Sequence, residues 1–113
     1  MSEIDEQSRL LQRIVEIIVQ EARPERVILF GSRAKGAASA ESDYDFLVVI
    51  RGVTNEREVS RRIYRALLEK RAGVAVDLVV VNASTLERHQ ASPFYIYREA
   101  LREGKVFYER QGV

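Results

Sequence analysis

The stretch from Phe30 to Ile50, FGSRAKGAASAESDYDFLVVI, constrains the chain more than any other. A short apolar run, Val27-Ile28-Leu29-Phe30, leads into it, and Phe46-Leu47-Val48-Val49-Ile50 closes it. Both runs read as core strands, so the polar residues between them are held where two strands meet. Those residues are Gly31 and Ser32, a ten-residue spacer, and then Asp43 and Asp45 separated by one position.

Each spacing has a physical consequence. Alternate side chains of a strand face the same way, so Asp43 and Asp45 project together while Tyr44 points to the opposite face and reads as core. Two carboxylates side by side repel one another unless a cation lies between them, which makes a divalent-metal site. Gly31 lets backbone approach a ligand closely, and Ser32 suits the N-cap of a short helix over Ser32 to Lys35 that Gly36 ends. A helix start of this kind offers free N–H groups and the positive end of a dipole to phosphate. Mg²⁺ is commonly held by one or two carboxylates together with substrate phosphates, so the two halves of the stretch are complementary.

A third carboxylate lies further on. Val74 to Val81 is a run rich in β-branched residues that reads as a buried central strand, interrupted only by Asp77. A buried carboxylate costs several kcal/mol without a partner, so Asp77 is expected to meet a cation, an arginine, or solvent at a strand end.

The rest of the chain supplies covering elements. Ile4, Leu11, Ile14, Val15, Ile18 and Ala22 recur at helical spacing, predicting an amphipathic helix over Ile4 to Ala22 that Pro24 ends. Gly52 breaks the second strand. Thr54 or Asn55 then caps a helix running to Arg71, with Val59, Ile63, Ala66 and Leu67 inward and Gly73 as its stop. Ser84 caps a short helix to His89 or Gln90, and Ser92-Pro93 opens another that Gly104 closes, with Phe94, Tyr97, Ala100 and Leu101 as its apolar stripe. Lys105 to Tyr108 reads as a last, edge strand. Four strands with helices before and between them predict an α/β (α+β) two-layer domain with a mixed four-stranded sheet.

At 113 residues and 46% hydrophobic content, residues 1–113 are read as one domain. The chain has no cysteine, its start is too acidic for a signal peptide, and no apolar run approaches the roughly 20 residues of a membrane span. A cytoplasmic placement follows as the expectation. A formal net charge of +1 does not point to nucleic acid as a direct ligand. Seven basic residues do crowd Arg51 to Arg71 against three glutamates, and they read as a solvated helix surface.

Glycine-serine, ten residues, then Asp-x-Asp, as GSRAKG followed by SDYDFLVV, resembles the signature of the nucleotidyltransferase superfamily that includes DNA polymerase beta. It is most similar to the minimal nucleotidyltransferases, whose members commonly pair with a helical partner called HEPN and in several cases act as antitoxins. The resemblance implies Asp43 and Asp45 as ligands of two Mg²⁺ ions, and Asp77 as ligand on the attacking side and acceptor of the incoming hydroxyl's proton. It implies that Gly31 and Ser32 hold the phosphates of a nucleoside triphosphate, ATP being the expected substrate, and that Arg33 or Lys35 neutralises departing pyrophosphate. Arg33 has a competing role as a partner of Glu41 or Asp43. Lys35 stands where arginine is usual, keeping the charge without the bidentate fork. His89 is read as a surface residue outside the motif.

The implied reaction is AMP transfer to a hydroxyl of the HEPN-type protein, which silences it. Two alternatives stand beside it: a module that neutralises its partner by occupancy, and nucleotidyl transfer to a small molecule, for which a homodimer would build the pocket.

Overall fold

The computed structural model describes residues 3–35, 43–88 and 100–111 of the 113. Its centre is the strand that follows the aspartate pair, β2 (Tyr44–Ile50), flanked by β1 (Arg26–Phe30) and β3 (Val76–Asn82), with β4 (Lys105–Glu109) beyond β1. The order is β3-β2-β1-β4. β1 runs antiparallel to both β2 and β4, whereas β2 and β3 are parallel, so the sheet is mixed as predicted.

Period-two alternation gives the sheet two faces. Val27, Leu29, Tyr44, Phe46, Val48 and Val80 meet α1 (Glu3–Ala22) and α3 (Glu56–Glu69) on one side. Ile28, Phe30, Leu47, Val49 and Val81 meet α4 (Ala83–Arg88) and the helical residues 100–103 on the other. The two long helices form the main second layer, and the shorter pieces close part of the opposite face. Ile17 is buried together with Ile14, Val15 and Ile18, so the inward stripe of α1 is wider than its periodicity suggested.

Several boundaries have a visible cause. α1 ends at Arg23, whose left-handed φ of 47° turns the chain into Pro24. Asn55, not Thr54, caps α3, its side chain accepting from the Glu58 N–H at 3.1 Å. That helix stops at Glu69, earlier than the predicted Arg71. Lys70 is its C-cap and Arg71 already lies in the left-handed region at φ 51°, so Gly73 acts on the loop and not on the helix. The start of α4 is held by Asn82, which accepts from the Ser84 N–H, and Ser84 is not the cap.

The expected central strand at 74–81 is corrected twice. It begins at Val76, and it lies at the sheet edge beside β2 alone. Its β-branched run is explained by two covered faces, with Val76, Leu78 and Val80 against α1 and α3 and Val79 and Val81 against the other cluster. β4 is the opposite edge, as predicted, with a bulge in its pairing to β1 near Phe107. No helix among the described residues is long and apolar enough to cross a membrane.

The predicted helix over 92–103 is seen only in residues 100–103, where Ala100 is buried and Leu101 half-buried. Ser92, Pro93, Phe94 and Tyr97 lie outside the described residues. So do Gly36, Glu41 and His89.

Candidate active site

Where β1 ends and β2 begins, the chain passes through Gly31 into α2 (Ser32–Lys35). Gly31 has φ +75°, a conformation that suits glycine, and its carbonyl accepts from the Ala34 N–H at 3.1 Å, closing the first turn of α2. A Cβ built on Gly31 would lie 2.3 Å from Oδ2 of Asp45. The Asp45 carboxylate is therefore packed directly against the glycine, and no larger residue fits there without moving it.

The three aspartates come together through register. Asp45 pairs with Asp77 across the parallel β2–β3 ladder, and the ladder continues Phe46 to Leu78 and Leu47 to Val79. Paired positions in a sheet share a face, and the alternation places Asp45 and Asp77 on the side of Leu47, Val49 and Val81. Asp43 precedes β2 by one residue, and its carboxylate lies close enough to Asp77 to accept a hydrogen bond from the protonated Asp77 carboxyl. The Asp77 carboxyl is pushed up from its ordinary value, first by partial desolvation, then by the charge of Asp43 and by that hydrogen bond. Asp77 is nonetheless exposed by surface area, so the desolvation is local, at the mouth of the site. Of the alternatives open for Asp77, a cation, an arginine or solvent at a strand end, the structure shows an exposed strand start, where no arginine ion pair is needed to keep the group hydrated.

Among the described residues no three carboxylate or imidazole groups close around a single point as the side chains stand. Asp43 and Asp77 touch one another while Asp45 is turned toward Gly31. The donor set still fits a hard divalent cation: three carboxylates at one end of β2 and β3, two of them repelling each other.

Arg33 lies on the other side. Its guanidinium carbon sits 4.3 Å from the centre of the Tyr44 ring, and Tyr44 belongs to the cluster facing α1 and α3. This cation–π stack was not foreseen, although an aromatic residue between two aspartates was the available signal. Ser32 is half-buried at the start of α2, and Lys35 ends that helix, its side chain outside what is described. Gly31, Ser32, Asp43, Asp45 and Asp77 are thus brought to one end of the sheet, while Arg33 is engaged at its flank. Two of the larger hollows lie elsewhere, one between α1 and β4 and one beside α3 and β3.

With this geometry in place, comparison with known proteins decides the family. A model of the nucleotidyltransferase domain matches residues 11–107. The chain belongs to the nucleotidyltransferase domain family. Its fold is that of solved members: a structure described as a nucleotidyltransferase from Sulfolobus solfataricus superposes with a TM-score of 0.63 at 24% identity, covering 92% of this chain and 81% of that one. A toxin–antitoxin structure with AMP-PNP gives a TM-score of 0.62 at 20% identity, covering 88% and 74%. A mutant of the toxin–antitoxin pair MntA-HpeT, in which two aspartates one residue apart are replaced by glutamate, gives 0.61 at 17%, again covering 88% and 74%. No curated protein matches the chain.

Proposed function

We propose that this nucleotidyltransferase-domain protein transfers AMP from ATP to a hydroxyl on a HEPN-type partner protein and thereby acts as its antitoxin. The observation that carries the reading is the register placing Asp77 beside Asp45, with Asp43 next to Asp77 and Asp45 packed against Gly31. It is further supported by the toxin–antitoxin neighbours, one with AMP-PNP and another altered at aspartates with the spacing of Asp43 and Asp45.

Asp43, Asp45 and Asp77 would hold Mg²⁺. Bound there, two ions supply charge stabilisation to the attacking and leaving oxygens. The Gly31 N–H and the Ser32 hydroxyl bind the β- and γ-phosphates at the start of the turn. Asp77, whose carboxyl is held above its ordinary value, takes the proton of the acceptor hydroxyl as its oxygen bonds to the α-phosphorus. The bond from that phosphorus to the bridging oxygen breaks, and pyrophosphate leaves. Lys35 is the cation assigned to the departing pyrophosphate. Arg33, stacked on Tyr44, fixes α2 against the sheet and keeps Ser32 in place, alongside any contact with phosphate. Use of ATP as substrate accords with a cytoplasmic placement.

The test is incubation of the protein with Mg²⁺, α-labelled ATP and the HEPN-type partner, followed by intact mass of both chains, with Asp43→Asn as control. AMP on the partner, absent with the variant, is the expected result. A tight complex without label, or labelling that persists with Asp43→Asn, rules out the proposed transfer.

A further inference from the structure

The outward side of α3 is not the uniformly solvated surface its charge suggests. Arg57, Arg61, Tyr64 and Leu68 recur along it and fall within about 60° of one another at the helical advance per residue. Leu68 is 79% exposed, Tyr64 40% and Val74 38%. With Leu67, Ala72 and Val76 they border a hollow of about 460 Å³.

The hollow is built from fixed parts. The Tyr64 hydroxyl accepts from the Leu78 N–H at 2.8 Å, tying its ring to the free edge of β3. Arg71, in the left-handed region, donates its N–H to the Leu68 carbonyl at 3.1 Å and lines the same hollow. Arg57, Arg61 and Arg65 are exposed, and none takes part in an ion pair among the described residues. The hollow reaches the end of β3 that bears Asp77, with Val76 in its wall on one face of the strand and Asp77 on the other.

An apolar depression with Arg71 in its wall and Arg61 and Arg65 one turn from Tyr64 and Leu68 on α3, at the end of the sheet that carries the carboxylates, has one kind of complement. RNA would use the arginines and leave Leu68 and Val74 unmatched. A protein segment with an apolar anchor flanked by carboxylates matches both, with the anchor desolvated at the centre and charges at the rim. We propose that this surface docks the acceptor-bearing protein through an acidic amphipathic segment, its apolar side chain seated between Tyr64, Leu68 and Val74. The inference rests on the transfer reaction above for the identity of the docked protein.

The test is calorimetric titration of the full chain with the HEPN-type partner at low and high salt, for wild type, Leu68→Glu, Arg61→Glu and, on the opposite sheet edge, Phe107→Glu. Leu68→Glu is expected to weaken binding at least about 30-fold, and Arg61→Glu several-fold with a shallower salt dependence, while Phe107→Glu binds as wild type. All three positions are exposed, so far-UV circular dichroism should remain unchanged. Wild-type affinity in Leu68→Glu, a loss confined to Phe107→Glu, or no binding by the wild type overturns the proposal. So does a filter assay in which single-stranded RNA, and not the partner, is lost with Arg61→Glu. Titration of the chain alone with ATP and Mg²⁺ separates the two readings. Partner binding that depends on Leu68 without any ATP binding removes the transfer reaction and keeps the surface. ATP binding with partner affinity indifferent to Leu68 does the reverse.

Discussion

Asp45 and Asp77 stand opposite one another in the parallel pairing of β2 and β3, thirty-two positions apart in sequence and adjacent in the sheet. Asp43 adds a third carboxylate beside Asp77, and its charge raises the Asp77 carboxyl. Such a cluster works against the fold until a cation joins it, and its repulsion should be measurable.

Asp77→Asn is therefore expected to raise the stability of the metal-free protein at pH 7, by roughly 0.2–1 kcal/mol, the scale of like charges paired across strands. The sign follows from linkage. A carboxyl raised above its ordinary 3.8 in the folded state penalises folding fully above its folded value. The penalty fades as pH falls through that value and is gone below 3.8. Thermal melts of both proteins across pH should show the advantage of the variant at neutrality and its disappearance in acid.

Mg²⁺ with ATP should reverse that order. At ten times the dissociation constant, ligand binding stabilises the wild type by about 1.4 kcal/mol. Asp43→Asn should lose most of the shift. Melts with and without Mg²⁺, and after chelation, measure it directly.

Gly31→Ala places a Cβ against Asp45 Oδ2 and forces a φ of +75° on alanine. We expect a loss of about 1–3 kcal/mol in urea unfolding, combining the left-handed penalty with displacement of the carboxylate. The same variant should bind Mg²⁺ and ATP more weakly than wild type.

Asn55→Ala removes a cap far from the carboxylates. A cost of about 1 kcal/mol in urea, with labelling of the partner unchanged, would separate helix stability from the site.

Glu25 is buried at 4% exposure between Pro24 and Arg26, and Arg51 bridges it to Glu87. Both carboxylates hold the Arg51 guanidinium well above its ordinary value, so it stays charged throughout the accessible pH range. Arg51→Ala should lower the urea midpoint by stranding Glu25. Adding Glu25→Gln should recover part of the loss, and a double-mutant cycle measures the coupling.

Local patterning made much of this legible. The apolar runs at 27–30 and 46–50 gave two strands, the stripe of α1 gave its length, and Asn55 was one of two named caps. The Gly31–Ser32 turn and the Asp43–Asp45 spacing marked the candidate site, because a two-residue period and a glycine turn are properties of adjacent residues. The matched nucleotidyltransferase domain agrees with the family those residues resembled.

Other features depended on residues distant in sequence. The run from Val76 to Asn82 has two covered faces whether a strand is central or at an edge, so its composition could not reveal that β3 lies outermost. Asp77 looked buried among valines, but its position at the start of that edge strand exposes it. Arg33 was read beside Glu41 or Asp43, and its stacking on the Tyr44 ring emerges only from the approach of α2 to the far face of β2. Glu25 drew no notice because its partners, Arg51 and Glu87, arrive from other elements. Which residues could form strands, turns and a carboxylate pair was set locally, since those depend on backbone periodicity. The tertiary structure decided strand order and register, which bring Asp77 to Asp45, because pairing is settled by competition among all the faces that must be covered at once.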